Sequence, residues 1–597
     1  DLHINIDNIQ ENNTYNLVFD EKGNEKQEKI VSEKTMKTIE LNQGVNIITV
    51  KIYRNGQELI YEGKAEVEYL KPYEKQFMDE LSNRGFAVHY RDGTWEKYEN
   101  DFDLLKNSGI KYIRADFLWR KIDKGNGDYQ FDYYDDWIKK ATENNIEIVA
   151  ILNGVGTLAG ENEIIDNEEE RKKFVNFAVA IAKKYPQIVK YEILNEPNFD
   201  YRTDEQINQY IQLVKQVSEA LKQINSEIDI ISGVCAVPDK TTSYVIESSE
   251  FIENISDNGA YQYSDAFSYH PYDSNNIGEL NTRYKEQLEK NSKIINKIGG
   301  FTKNYITEFG ISSYENVTEE DQAIIDVQRT IINDDYGIDL SILYSSWNMG
   351  NDRNSKEQNF GILNNNYTPK LSYYALKNCY ENINGAEFIG NISLINGVET
   401  YVYNKNGEPL LILWSKQKDK NYSLEISNCY VKDLYGNDVQ IDNGKINISY
   451  SPIYLYGQDK KYFSQAISNK ILTSYDELTK NYIDILEETS DINNEIESLK
   501  EEIKKLENIS YDESIQLMER HYELGMKYME IFQCNNDEDY KRLSSFLDSL
   551  DTIGESYQDI ITISENVQNI SLNETKEKIK IVNGNLKYID NINENYS

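Results

Sequence analysis

Apolar and polar residues follow three different periods along this chain. Over residues 1–70 they alternate, as in TYNLVFDEKGNEK, TIELNQGVNIITVKIYRNGQELIY and KAEVEYL, with turn signals KGN, NQG and RNG between the runs. That pattern predicts a small β-sandwich of immunoglobulin-like type. Over 71–385 short apolar runs alternate with segments of helical period. The runs are GFAVHY, KYIRADF, IEIVAIL, KYEILNEP, IDIISGVCAV, DAFSYHPY, NYITEFG and DLSILYSSWN. Segments such as WEKYENDFDLLKNSG, FDYYDDWIKKATENN and EERKKFVNFAVAIAKKY carry an apolar stripe at helical spacing. Eight strands, each followed by a helix, predict an α/β fold, a (β/α)8 TIM barrel. A doubly wound open sheet would carry a glycine-rich phosphate turn after its first strand, and GFAVHY is followed by none. Period two returns over 386–460, with hairpin turns in NKNGEP and DLYGND, and predicts a second β-sandwich.

Residues 461–597 contain no proline and only Gly525, Gly554 and Gly584, so the C-terminal segment is predicted all-helical. Within it Ile485, Ile492, Leu499 and Leu506 repeat every seven residues, with Thr489, Ile496 and Ile503 interleaved. This seam predicts one helix of an intramolecular bundle, with a short intermolecular coiled coil as the alternative.

Composition narrows the partners. The chain has 597 residues and a formal net charge of −39. That charge opposes nucleic acid and anionic membranes, and no stretch approaches the ~18 apolar residues of a membrane span. A content of 47 Tyr and 18 Phe argues against a disordered acidic chain. Four cysteines without a CxxC pair (Cys235, Cys379, Cys429 and Cys534) form neither a disulfide framework nor a zinc motif. No metal and no cofactor motif is expected. The chain opens DLHINIDNIQ, without Met or a basic-then-apolar leader, so the expectation is a processed chain at an extracellular or cell-surface location.

Candidate chemistry lies at the C-terminal ends of the predicted barrel strands, where such barrels build their sites. Strand one ends in His89. Strand two carries Arg114 and Asp116, followed by Trp119. Strand three ends at Asn153, strand four at Asn195-Glu196-Pro197-Asn198, and strand six at His270-Pro271-Tyr272. Strand seven ends at Thr307-Glu308-Phe309-Gly310 and strand eight at Trp347-Asn348. Two of the chain's four histidines fall in this ring. Glu196 and Glu308 would face each other across the mouth, and glycoside hydrolysis needs two carboxylates flanking the scissile bond.

ILNEPN (193–198), YITEFG (305–310), SYHPY (268–272) and YIRADF (112–117) resemble the clan A glycoside hydrolases, whose acid/base and nucleophile sit on strands four and seven. From FAVHY through FDYYDDWI the chain looks most like family 39 and its bacterial exopolysaccharide-degrading relatives, with family 5 second. The resemblance implies Glu196 as general acid/base and Glu308 as nucleophile of a retaining enzyme. It implies Asn195 at the sugar 2-substituent, Arg114 beside Glu308, and Tyr272, or secondarily His270, donating to Glu308. Trp119 and Trp347 would be platforms for sugar faces, with His89 and Asn153 as further substrate contacts. Glu196 should then titrate high and Glu308 low.

The expected partner is an extracellular poly- or oligosaccharide. A protein partner, or self-association, is assigned to the helical tail. An inactive surface glycan-binding protein and a transglycosidase using the same Glu pair are the alternatives. The acidity favours a neutral or amine-bearing glycan unless Arg84, Arg91, Arg114 and Arg353 offset it locally. Loops 155–170 and 273–284 are expected to wall the cleft. Sugar, linkage and endo or exo action are left open by the sequence.

Overall fold

The computed structural model describes residues 2–5, 13–21, 24–30, 34–37, 41–69, 82–90, 101–125, 127–154, 164–238, 240–272, 280–298, 302–427, 429–482, 490–505, 511–531, 546–547, 549–550 and 553–559. Two compact units divide the chain. One comprises Asp1–Gly385 with Lys432–Val439, the other Ala386–Val431 with Gln440–Ser597.

The first unit opens with a four-stranded antiparallel sheet. Its order is Asn24–Ile30, Tyr15–Glu21, Gly44–Arg54, Glu58–Tyr69. The alternation of YNLVF and NIITVKI puts Tyr15, Leu17, Phe19, Ile48, Val50 and Ile52 on one face, where they form a single apolar cluster. A two-stranded ribbon pairs Leu2–Asn5 with Lys34–Lys37.

The eight runs of the central segment close into a parallel barrel. In order the strands are Arg84–Ala87, Tyr112–Leu118, Glu147–Asn153, Lys190–Ile193, Asp229–Ala236, Ala266–His270, Lys303–Phe309 and Leu340–Leu343. Both faces of such strands are covered, so their sequences are nearly continuous apolar runs. Ala87, Val149, Ile231, Val234, Ala266, Tyr305, Leu340 and Ile342 make one buried cluster. A fully buried side chain of this size stabilises by about 1.5–3 kcal/mol. At Gly85 a Cβ would lie 2.3 Å from the Tyr112 carbonyl oxygen, so only glycine lets strands one and two approach this closely. Outer helices start at capping boxes, Thr203 with Gln206 and Thr318 with Asp321.

Strand eight corrects the sequence reading. It ends at Leu343, four residues before Trp347. Beyond it, Ser345, Ser346 and Asn348 pair through their backbones with the Phe360–Leu363 segment. Ser346 still donates its N–H to the Ala87 carbonyl of strand one at 3.0 Å, and Trp347 itself bridges to Leu363.

In the second unit, strands Glu387–Asn391, Val398–Lys405, Glu408–Ser415 and Ile453–Tyr456 lie side by side in that order. The turn in NKNGEP has positive φ at Asn406 and Gly407, as a tight hairpin requires. A smaller ribbon pairs Tyr422–Glu425 with Lys445–Ile448. Helix Ser490–Ile503 packs on both Lys461–Asn481 and Tyr511–Ile531. Its seam residues Ile492, Ile496, Leu499 and Ile503 are buried within the chain. Ile485, Thr489 and Leu506 lie outside the described residues. Among the described residues Cys235, Cys379 and Cys429 form no disulfide.

Candidate active site

The end of strand four departs from extended backbone twice. Leu194 and Glu196 both have left-handed backbones, with φ of 66° and 50°. In a regular strand successive side chains point to opposite faces. Here the two kinks flank Asn195, and both Asn195 and Glu196 reach the same cavity. Pro197 then starts a short 3-10 turn, Pro197–Phe199. Asn198, fully buried, anchors it. Its Nδ2 donates to the Ala236 and Ile246 carbonyls at 2.9 and 2.7 Å, and its Oδ1 accepts from the Ala236 N–H at 3.1 Å.

Glu308 stands on strand seven. Arg114 Nη1 donates to its Oε1 at 2.6 Å, and the Tyr272 hydroxyl donates to its Oε2 at 2.8 Å. The same guanidinium donates through Nε to Glu192 Oε2 at 2.8 Å and through Nη2 to Asn195 Oδ1 at 2.7 Å. Both Arg114 and Glu192 are buried. Burial pushes the Glu308 carboxyl up. The charges of His270 and Arg114 and the hydrogen bonds from Tyr272 and Arg114 outweigh it and hold the group below the usual carboxylate range.

His270 joins the two carboxylates. Its Nδ1 lies 3.0 Å from Glu196 Oε1 and 3.8 Å from Glu308 Oε2. Its Nε2 lies 3.2 Å from Thr307 Oγ1, which in turn lies 2.6 Å from Ser268 Oγ. One atom each of Glu196, His270 and Glu308 fall within 4.8 Å of one another. That set has the composition of a cation site. However, the Arg114 charge sits 2.6 Å from Glu308 and opposes a second cation there.

This is the strand-four and strand-seven carboxylate pair set in a closed eight-stranded barrel, and the sequence model for cellulases of glycosyl hydrolase family 5 matches residues 70–353. The barrel is a clan A glycoside hydrolase domain. A family 39 glycoside hydrolase from the gut symbiont Bacteroides cellulosilyticus WH2 shares its fold with a TM-score of 0.58, over 75% of this chain and 95% of that one, at 19% identity. A family 39 β-xylosidase from Caulobacter crescentus matches over 63% of this chain and 96% of its own, at 12% identity and a TM-score of 0.45. A stretch of 66 residues is 38% identical to the β-galactosidase BgaA of Clostridium cellulovorans. It covers 11% of this chain and only 10% of that protein.

The cavity of this glycoside hydrolase has a volume of about 370 Å³. Seven of the ten residues singled out in the sequence line it or its carboxylates directly: His89, Arg114, Asn153, Asn195, Glu196, Tyr272 and Glu308. Asn153 Nδ2 donates to Asp116 Oδ1 at 3.2 Å, and Asp116 also lines the cavity. His270 stands behind Glu196. Of the two candidate donors to Glu308, Tyr272 makes the hydrogen bond, while His270 turns Nδ1 to Glu196.

The two tryptophans are corrections. Trp119 follows strand two in the helical turn Trp119–Ile122 and is not among the residues lining the cavity. It is buried against Phe174 and Phe177, and its indole N–H donates to Asp123 at 3.0 Å. Trp347 is buried against Tyr90, His89 and Tyr367, and is absent from the cavity wall. Tyr344, the residue straight after strand eight, takes the wall position instead, edge-on to Tyr272 at 6.3 Å between ring centroids.

Sequence reasoning missed Tyr344, Glu192 and the segment contributing Lys356, Glu357 and Phe360. The signal for Glu192 was a lone carboxylate inside the apolar run KYEIL. Among the arginines, Arg84 pairs with Asp334 at the opposite end of the barrel, and Arg353 pairs with Glu319. Arg91 and residues 155–163 and 273–279 of the two wall loops lie outside the described residues.

Proposed function

We propose that this enzyme is a retaining glycosidase in which Glu308 attacks the anomeric carbon and Glu196 protonates the leaving oxygen. The observation that carries the reading is the approach of a Glu196 oxygen to within 4.8 Å of a Glu308 oxygen. Retaining pairs stand about 5–5.5 Å apart, while inverting pairs leave about 6.5–9.5 Å for a water.

In the first step the Glu308 carboxylate forms a bond to the anomeric carbon. The glycosidic bond breaks, and the Glu196 proton goes to the departing oxygen. In the second step Glu196, now ionised, takes a proton from water, which attacks the same carbon and releases Glu308. Arg114 and Tyr272 each bond one Glu308 oxygen. They keep the nucleophile ionised before attack and stabilise the carboxylate that leaves. Asn195 has its carbonyl committed to Arg114, so its amide N–H groups are the arm available to a sugar hydroxyl.

The substrate we assign is a neutral or amine-bearing poly- or oligosaccharide outside the cell. Support comes from a wall carrying Asp116, Glu196, Glu308 and Glu357 against Arg114 and Lys356. The extracellular assignment rests on the modular build of barrel, β-modules and helices.

Proton NMR of the first product formed decides the mechanism. An aryl glycoside hydrolysed with its anomeric configuration kept supports the pair as assigned, and an inverted first product overturns it. Lengthened oligosaccharides in the same spectra would report transfer to sugar instead of water.

A further inference from the structure

Two aromatic side chains on the same side of the barrel as Glu196 are exposed. Phe199 is 42% and Tyr244 76% solvent-accessible. Phe199 lies one short turn beyond Glu196, and its N–H donates to the Glu196 carbonyl at 3.1 Å. Tyr244 sits in the loop after strand five, within a tight turn closed by the Thr242 N–H donating to the Val245 carbonyl at 2.8 Å.

Both rings are carried by one hydrogen-bonded unit. The Asn198 carbonyl accepts from the Ile246 N–H at 3.1 Å, and Asn198 Nδ2 returns a bond to the Ile246 carbonyl. Arg202 ties the strand-four loop to the Ser243 carbonyl. Neither ring contributes to the core, yet the backbone under each is pinned. Rigid, exposed aromatic surface beside an active site is what an apolar ligand face requires. The C–H face of a sugar ring is such a face, and the exposed Arg202 guanidinium on the Ser243 carbonyl beside Tyr244 adds a donor for sugar hydroxyls.

We propose that Phe199 and Tyr244 form an aromatic binding site for the leaving-group side of a glycan chain, so that the enzyme cleaves within chains. The proposal rests on Glu196 being the acid, because the acid marks the side from which the leaving sugar departs. Sugars on that side continue past Glu196 over the turn that carries Phe199.

The test uses the full chain with F199A, Y244A and the double variant. Cellulose, xylan, mannan, galactan and partly de-N-acetylated β-1,6-glucosamine polymer are screened by reducing-end release. The best polymer is then compared with aryl glycosides of its monosaccharide, whose short leaving group stops before the platform. For each variant the KM for polymer should rise roughly tenfold more than the KM for the aryl glycoside. F199Y and Y244F should restore it. Equal losses on both substrates would mean a structural role and overturn the proposal. So would cleavage of aryl glycosides with no polymer cleaved, or product release one unit at a time from chain ends. Failure of the underlying reading looks different: E196Q would then keep wild-type activity on every substrate.

Discussion

The two ends of the barrel handle charge in opposite ways. At the N-terminal end five of the eight strands begin with a charged residue that has a partner. Lys190 and Lys303 both bind Asp229, at 2.6 and 3.0 Å, Lys222 binds Asp265 at 2.6 Å, and Lys111 binds Glu147 at 3.3 Å. At the C-terminal end one guanidinium, Arg114, serves two carboxylates, and a third, Glu196, lies beside them. Asp229 and Glu308 are both held below the usual carboxylate range. In each, burial pushes the pKa up and neighbouring cations win. Asp229 has two cations, while Glu308 shares Arg114 with Glu192. One end is neutralised and serves stability. The other keeps excess negative charge, which a reaction with a cationic transition state can use.

The largest expected effect separates the two ends. E308Q should cut kcat by roughly 10³-fold or more, and it should also lower the urea midpoint, because it removes the charge that Arg114 and Tyr272 hold. D229N should remove about 2 kcal/mol of stability in urea titration with kcat of the folded enzyme retained. If D229N slowed catalysis as much as E308Q, the division between the ends would fail.

Acid should sharpen the contrast. A depressed folded pKa means ionisation is kept above it and lost as pH falls through it. The acid limb of kcat/KM should therefore lie below the ordinary Glu value of about 4.3. R114K, which loses the forked contact, should move that limb to higher pH. The stability linked to Asp229 should also be lost on acidification, below its unfolded value of about 3.9, and D229N should abolish that component without moving the kinetic limb.

A smaller effect is expected at the wall. D116N should raise KM by roughly 2- to 10-fold with little change in kcat, most for an amine-bearing sugar. The smallest is at Trp119, behind the wall. W119F should cost about 1 kcal/mol in denaturation and leave KM where it was, because the indole N–H serves Asp123 and no sugar.

Period and turn chemistry made the barrel and its strand-end residues legible, because NEP and TEFG sit where parallel strands stop. What each strand-end residue faces was less legible. Trp119 lies one residue past strand two, already in a helical turn, and a shift of that size turns a side chain from mouth to shell. Trp347 was read as ending a strand that stops at Leu343. Beyond Leu343 the chain pairs with residues 360–363, which no local pattern announces. The same pairing brings Lys356, Glu357 and Phe360 to the cavity. Glu192 could have been found, since a carboxylate in a doubly buried strand demands a cation, and Arg114 was the one on the facing run.

The left-handed backbone at Glu196 has a consequence for how this domain can change over time. A non-glycine residue there is strained by about 1–2 kcal/mol relative to glycine. The position is therefore one where losing the carboxylate relieves the fold. E196G should fold at least as well as the parent while losing the acid. Drift or laboratory selection judged on expression or heat resistance alone would favour the dead variant, and only a selection that reads sugar release would hold the glutamate in place.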